Sequence, residues 1–242
     1  MFQKDIARPR IEVVLWSYSD DLHACERWMR SLSADELQRA AAYRFERDRN
    51  MFIAGRYLLK RLLSAQVGMK PEDLRLLPGA FGKLHVRSPV DLQFSLANAD
   101  GLVAAAMAVG AGCASVGIDC ERTDDEIEDA ALHSYCTVDE RRWLDQMPPD
   151  DRLRAAMTLW TLKESHLKAL GTGLSEDPRN VVVTWNGNAW PIVVHDGSED
   201  PDWHHYVIDS DSQHVVALAV RSLSGPPDIA VRRFQDDSAL SK

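Results

Sequence analysis

Apolar and polar positions in the first half of the chain predict one long helix followed by short strands. Residues 35–66 place apolar side chains at helical spacing, and Gly68 and Pro71 end the predicted helix. The segment 74–86 predicts two short strands around a glycine turn. Residues 93–110 predict a hairpin whose polar tip lies at 98–101.

The second half follows a similar order. The apolar alternation of 116–121 predicts a strand, and the acidic residues 124–129 open a mainly helical stretch that reaches Leu170 and is broken at Pro148–Pro149. Further strands are predicted at 180–185, 191–196, 205–209 and 214–220. Pro226–Pro227 and the polar end of the chain predict a loose tail.

Two of these segments look alike. FSLANADGLVAAAMAV (94–109) resembles YVIDSDSQHVVALAV (206–220), and each follows a helix rich in Leu, Lys and Arg. This sequence similarity leaves two interpretations open: an internal repeat of an α+β unit, or two apolar hairpins that look alike because of their composition.

The strand VGIDCE (116–121) presents two acids on one face. Side chains alternate between the faces of a strand, so Asp119 and Glu121 lie on the face of Gly117, about 7 Å apart at the backbone. Carboxylates this close repel each other unless a cation lies between them. Two acids on a solvent-facing strand would give the same letters, so this pattern alone decides nothing.

The segment LWTLKESHLKALGTGL (159–174) predicts a helix closed by glycine. Trp160, Glu164 and Lys168 form a row beside an apolar stripe that includes His166, which we interpret as a core histidine. The Glu164–Lys168 pair could be an ordinary salt bridge between successive turns. However, a tryptophan one turn earlier would bury part of the row, and a partly buried carboxylate is a candidate base or ligand.

Three carboxylates without a histidine or cysteine favour a hard cation. Glu164 beside Asp119 and Glu121 would form an all-oxygen site that suits Mg²⁺ better than Zn²⁺. Such an ion keeps coordination positions for water and phosphate oxygens.

Composition limits the partners. The net charge of −9 argues against general nucleic-acid binding, whereas residues 39–61 hold seven basic and two acidic residues and suit a compact anionic ligand. No apolar run is long enough to span a membrane and the N-terminus lacks an apolar signal segment, so we expect a cytoplasmic protein. The four cysteines contain no CxxC pair, and we expect free thiols.

Several motifs together resemble the 4′-phosphopantetheinyl transferases of the surfactin-synthetase type. They are GIDCE (117–121), WTLKESHLK (160–168) and GTGL (171–174), preceded by RF (44–45), AGRYLLKRLL (54–63), FGK (81–83) and FSLANADGL (94–102). The resemblance runs from about residue 40 to 175 and more loosely to the end of the chain.

The resemblance implies both a fold and an activity. The fold would be a pseudo-dimer of two similar α+β halves, each a small antiparallel sheet packed with helices, with halves at 1–112 and 113–233 and a flexible tail at 234–242. The activity would be Mg²⁺-dependent transfer of the phosphopantetheine arm of coenzyme A to a serine of an acyl or peptidyl carrier protein, with release of 3′,5′-ADP; Mn²⁺ could substitute. A monomer would suffice, and the full two-half length points toward enzymes of nonribosomal-peptide, polyketide or fatty-acid synthesis.

The resemblance also implies roles for individual residues. Asp119, Glu121 and Glu164 would hold the metal, and Glu164 would be the base for the carrier serine. Lys168 would be the second catalytic residue and would contact the phosphates. The remaining coenzyme A contacts would be Arg56, Lys83, Asn98 and Lys163, and Glu140 would match a further acidic position.

Three positions depart from the family pattern. Asn98 stands in FSLANA where the family has a histidine that contacts the 3′-phosphate, and Ala97 stands for a serine. Asn98 can still donate a hydrogen bond but cannot carry a positive charge, so we expect weaker coenzyme A binding rather than lost activity. Leu84 replaces the proline of a Gly-Lys-Pro motif.

Two other functions remain open at this point. The three carboxylates alone would permit another Mg²⁺-dependent phosphate enzyme, such as a phosphohydrolase, although no Walker A loop is present. The altered FSLANA segment would permit a non-catalytic binder of coenzyme A or of a carrier protein.

Overall fold

The computed structural model describes residues 8–18, 22–87, 92–109, 112–123, 127–185 and 191–236. The first half contains β1 (Arg10–Ser17), α1 (Leu22–Met29), α2 (Ala34–Ala41), α3 (Glu46–Val67), β2 (Leu76–Pro78), β3 (Leu84–Val86), β4 (Phe94–Ala99) and β5 (Leu102–Val109). The second half contains β6 (Cys113–Arg122), α4 (Asp129–Tyr135), α5 (Val138–Leu144), α6 (Pro149–Leu170), β7 (Val181–Trp185), β8 (Pro191–His195), β9 (Trp203–Ile208), β10 (His214–Ser222) and β11 (Asp228–Arg233).

The two halves repeat one order of elements. Each has a strand, a helix of 22 residues, a two-stranded hairpin and an antiparallel strand pair. The strands form sheets of equivalent order, β1-β5-β4 in the first half and β6-β10-β9 in the second. This agreement supports the internal repeat that the letters left open. The α+β class with small antiparallel sheets is confirmed, and the pseudo-dimer and its division at 112/113 stay proposals.

The core is built in layers. Alternate residues of β1, β4 and β5 pack against alternate residues of β6 and β10 in one shared cluster, so the two sheets face each other. The opposite face of the first sheet packs on α1, α2 and α3, and the opposite face of the second packs on α6. Each sheet is therefore buried on both sides, which explains why β5 and β10 are apolar along almost their whole length.

The predicted helix at 35–66 is two helices. α2 ends at Ala41, and Phe45 before α3 has extended backbone angles of φ −104° and ψ 136°. The turn lets the two helices pack together: Glu36 Oε2 lies 2.7 Å from Lys60 Nζ. In one straight helix these residues would be about 36 Å apart along the axis. Contacts between α2 and α3 therefore determine where the predicted helix is interrupted. The helical spacing of apolar residues in 35–66 does not show this interruption.

The predicted loose tail is ordered over residues 228–236. β11 pairs in parallel with β1 and so adds a fourth strand to the sheet of the first half. Beyond it, Phe234 packs on Trp16, and Asp236 accepts hydrogen bonds from Trp28 Nε1 at 2.8 Å and Tyr57 OH at 3.2 Å. Residues 237–242 lie outside the described residues.

The other predicted strands and the helix break at Pro148–Pro149 are confirmed. α6 begins at Pro149 and ends at Leu170, and Gly171 after it adopts the left-handed conformation common at helix ends. The four cysteines form no disulfide, and burial raises the pKa of Cys113 to about 11 and of Cys136 to about 12. Within the described ranges, no helix combines the length and apolar character needed to cross a bilayer.

Candidate active site

A close contact between α6 and β6 brings the two predicted acidic motifs together. Gly117 on β6 lies directly under α6: a Cβ atom at this position would be 2.0 Å from the carbonyl oxygen of Ser165 and 2.4 Å from the amide nitrogen of Ala169. No side chain fits in that space. The absence of a Cβ at Gly117 therefore allows the helix row of Glu164 and Lys168 to reach the acids of the strand.

Each strand carboxylate is held by a residue of the helix row. Lys168 Nζ lies 2.6 Å from Asp119 Oδ1, and Trp160 Nε1 donates a 2.9 Å hydrogen bond to Glu121 Oε1. Val116, Ile118 and Cys120 point into the core between the sheets, as the period-two pattern predicts. The structure thus brings Asp119, Glu121, Glu164 and Lys168 together.

The electrostatics of this group are strongly perturbed. Burial, followed by the neighbouring charges of Asp119 and Glu121, raises the pKa of Glu164 to about 7, although Lys168 opposes the shift. Burial also raises the pKa of Asp119, against the influence of Lys168. Burial alone would lower the pKa of Lys168, but the adjacent Asp119 carboxylate outweighs it, so the pKa of Lys168 is raised.

The group fits a hard divalent cation in its chemistry. Asp119 Oδ2 and Glu164 Oε1 are buried and have no hydrogen-bond partner in the described part of the chain. Buried carboxylate oxygens without a donor are costly, and a cation would satisfy both. The ligand atoms of these three carboxylates do not all lie within 4.8 Å of one another. Among the described residues, the group that meets this distance consists of Glu176, His195 and Asp196.

A cavity of about 390 Å³ opens beside this group and is lined by both halves of the chain. Its charged lining residues are four cations and one acid, namely Arg39, Arg56, Lys83, Lys168 and Glu164. A cavity of this charge on a protein of net charge −9 favours a ligand with several negative charges.

Arg56 is held in the wall of this cavity by its neighbours on α2 and α3. It is 8% exposed, its Nε lies 3.8 Å from Glu36 Oε1, and its guanidinium lies 5.0 Å from the ring centroid of Phe52. Nε and Nη1 are buried and donate no hydrogen bond in the described part of the chain. Arg56 lines the cavity, so its guanidinium can bind an anion there.

Lys83 and Asn98, both predicted coenzyme A contacts, also line the cavity. Lys83 Nζ donates a 2.7 Å hydrogen bond to the carbonyl of Ala169 near the end of α6, and burial lowers the pKa of Lys83. Asn98 on β4 fits against Gly55 on α3, where a Cβ atom would lie 2.5 Å from Asn98 Oδ1. The glycine in AGRYLL thus makes room for the residue that replaces the family's histidine.

Lys163 does not reach this cavity. It is fully buried on another side of α6, where its ammonium lies 2.9 Å from Glu140 Oε2 and donates to the carbonyl of Pro178. Glu140 also accepts from the amide of Val183 and caps α5 with Thr137. This geometry therefore does not support the predicted coenzyme A contact at Lys163. Consecutive residues of a helix point about 100° apart, so Lys163 points toward Glu140 while Glu164 lines the cavity.

Several cavity residues were not predicted from the sequence. Arg39, Tyr43 and Phe52 come from α2, the turn after it and α3, and Phe81 projects from the turn before β3 with 67% exposure. Phe81 has a φ of 55°, in the left-handed region that favours glycine. The basic stretch 39–61 already contained a signal for Arg39, whereas no local pattern marked Phe81.

Comparison with known proteins gives a consistent result. The family model of the 4′-phosphopantetheinyl transferase superfamily matches residues 115–219, which include most of β6 and all of α6. The 4′-phosphopantetheinyl transferase HetI of Nostoc sp. is 30% identical over 203 residues, covering 81% of each chain.

Two further relatives extend over nearly the whole chain. A phosphopantetheinyl transferase of Thraustochytrium sp. is 24% identical and covers 92% of this chain and 81% of its own. The L-aminoadipate-semialdehyde dehydrogenase-phosphopantetheinyl transferase of Mus musculus is 26% identical and covers 97% of this chain and 82% of its own. On this similarity, joined to the matching order of the acidic strand and the helix row, the chain belongs to the 4′-phosphopantetheinyl transferase superfamily.

Proposed function

We propose that this protein transfers the 4′-phosphopantetheine group of coenzyme A to a serine of an acyl or peptidyl carrier protein and releases 3′,5′-ADP. The observation that carries the proposal is the juxtaposition of Glu164 and Lys168 with Asp119 and Glu121 at the wall of a cationic cavity. Membership of the superfamily supports the same reaction.

The reaction replaces a phosphoanhydride bond by a phosphoester bond. The serine oxygen bonds to the phosphorus that carries pantetheine, the bond from that phosphorus to the bridging pyrophosphate oxygen breaks, and 3′,5′-ADP leaves with the electron pair. Glu164 accepts the serine proton, directly or through a water molecule. In the absence of a metal ion the pKa of Glu164 is about 7, so the group is roughly half ionised near neutral pH and can take up a proton. A cation bound to this carboxylate would lower that pKa.

The cations of the cavity bind the negative charges of coenzyme A. Arg56 and Lys83 contact the 3′-phosphate and nucleotide, Asn98 donates a hydrogen bond there, and Lys168 contacts the phosphates and stabilises charge on the leaving group. Asp119, Glu121 and Glu164 would hold Mg²⁺ or Mn²⁺, which supplies charge neutralisation of the pyrophosphate when bound.

The test is intact-mass spectrometry of an apo-carrier protein incubated with coenzyme A, Mg²⁺ and the protein. We expect the carrier to gain one phosphopantetheine with wild type and with Asp150→Asn, a substitution of an exposed acid in the first turn of α6. Glu164→Ala and Glu164→Gln should abolish the gain. Magnesium-dependent modification that persists without Glu164 would contradict the role of this residue.

Other outcomes would identify the competing functions. Coenzyme A binding without carrier modification would favour the non-catalytic binder, and coenzyme A cleavage without a carrier would favour a phosphohydrolase. A panel of apo-carriers from fatty-acid, polyketide and nonribosomal-peptide synthesis then ranks the substrates by rate. A cytoplasmic location and a monomeric state stay predictions from the sequence.

A further inference from the structure

A second group of potential metal ligands lies away from the carboxylates of the candidate active site. Glu176 lies in the segment that follows α6, His195 is the last residue of β8, and Asp196 follows it. One ligand atom from each, a carboxylate oxygen or a ring nitrogen, lies within 4.8 Å of the other two. These residues therefore meet where the β7–β8 hairpin approaches the segment that follows α6.

The geometry is close to that of a metal site. His195 Nε2 is in direct contact with Glu176 Oε1 and lies 4.0 Å from Asp196 Oδ2. Ligands bound tetrahedrally to Zn²⁺ at about 2.0–2.2 Å are roughly 3.4 Å apart, so small side-chain movements are enough. Asp196 can make such a movement because 71% of its side chain is exposed.

A buried histidine adjoins the group. The His166 ring on α6 lies 5.0 Å from the His195 ring, between centroids, and its Nδ1 is 2.9 Å from His205 Nε2. His166 is 1% exposed, yet its Nε2 has no hydrogen-bond partner in the described part of the chain. A buried polar atom without a partner is costly, and a nearby cation would give this nitrogen a partner.

We propose that Glu176, His195 and Asp196 bind a divalent transition-metal ion of the Zn²⁺ class, with His166 as a candidate for a fourth ligand. Mixed imidazole and carboxylate donors select such an ion, whereas the all-oxygen group at Asp119 suits Mg²⁺. The bound ion links the β7–β8 hairpin to the segment that follows α6. This inference does not depend on the transferase reaction.

The test is a calorimetric titration of Zn²⁺ into chelator-treated full-length protein in excess Mg²⁺, which occupies the all-oxygen group. We expect wild type to bind about one Zn²⁺ per chain, in keeping with a single mononuclear site. His195→Ala should lose this equivalent. The control His133→Ala removes an exposed histidine on α4 and should bind as wild type does.

A second variant separates a metal site from a simple ion pair. Asp196→Asn keeps the His195–Glu176 contact but removes a charged ligand, so Zn²⁺ binding should weaken by about tenfold or more. Zn²⁺ should also raise the melting temperature of wild type but not of His195→Ala. The proposal is overturned if wild type binds no Zn²⁺ in excess Mg²⁺, or if His195→Ala binds it as tightly as wild type.

Discussion

Replacing Gly117 by alanine tests whether the contact between β6 and α6 assembles the candidate active site. The new Cβ atom would lie 2.0 Å from the Ser165 carbonyl oxygen, whereas ordinary contacts begin at 3.4 Å. The helix must therefore move away from the strand by about 1.4 Å, because the obstructing atoms are backbone and cannot rotate aside. The displacement separates Glu164 and Lys168 from Asp119.

Both the free energy of unfolding and the rate of phosphopantetheine transfer should fall. Overpacking of this kind costs about 1–3 kcal/mol of the free energy of unfolding. A displacement of about 1 Å at catalytic groups costs about 10²-fold in rate, so carrier modification should fall by about that factor at a temperature where the variant is folded. The assays are denaturant unfolding and the initial rate of phosphopantetheine transfer at saturating coenzyme A.

The matched control is Gly68→Ala. Gly68 ends α3 with a φ of +68° and has open space around it, so alanine there introduces backbone strain of about 1 kcal/mol without moving a helix. Its stability should fall while its transfer rate stays that of wild type. If Gly117→Ala retains full activity when folded, the close contact does not position the catalytic row, and the reasoning fails.

Four further predictions follow from single contacts. The pKa of Glu164 is raised from 4.5 to about 7, so the folded protein binds a proton at this carboxylate more tightly than the unfolded chain does. The stability of the metal-free protein should therefore fall as pH rises from about 5 to about 7. Glu164→Gln should flatten this part of a pH series of unfolding curves. Lys163→Met should cost about 3–5 kcal/mol in denaturant unfolding because it leaves the Glu140 carboxylate buried without its cation; a loss below 1 kcal/mol would contradict this role. Arg56→Gln should raise the KM for coenzyme A by about tenfold or more with little change in kcat, as steady-state kinetics will show, because it removes a charged donor from the cavity. Asn98→His should lower the KM for coenzyme A at pH 6, where the imidazole is largely charged; an unchanged KM would mean that Asn98 does not contact the phosphate.

Local patterns predicted many of the elements because each is set by its own residues. The period-two face of VGIDCE placed Asp119 and Glu121 opposite the core, and glycine at 171 ended α6 where the apolar stripe ends. The buried position of His166 also followed from the stripe. β1 was not assigned, although the run IEVVLW (11–16) carried an apolar strand signal.

Contacts between distant residues decided the features that the sequence analysis missed. The pairing of Glu36 with Lys60 requires the turn between α2 and α3, and the pairing of β11 with β1 orders a segment whose prolines and polar residues look like a tail. Consecutive residues of α6 point in different directions, so Lys163 pairs with Glu140 whereas Glu164 lies beside Asp119 and Lys168. The sequence of the motif alone does not show that Lys163 and Glu164 have different partners.

By itself, the sequence determined the α+β class, the acidic strand, the helix row and, through its motifs, the expected chemistry, since these depend on residue type and short-range spacing. The tertiary structure alone decided which charged groups meet. Gly117 allows α6 to lie against β6, the two halves together form the cationic cavity, and burial in that cleft raises the pKa of Glu164 to about 7. The physical reason is that desolvation and charge interactions depend on distances across the fold, which no local periodicity encodes.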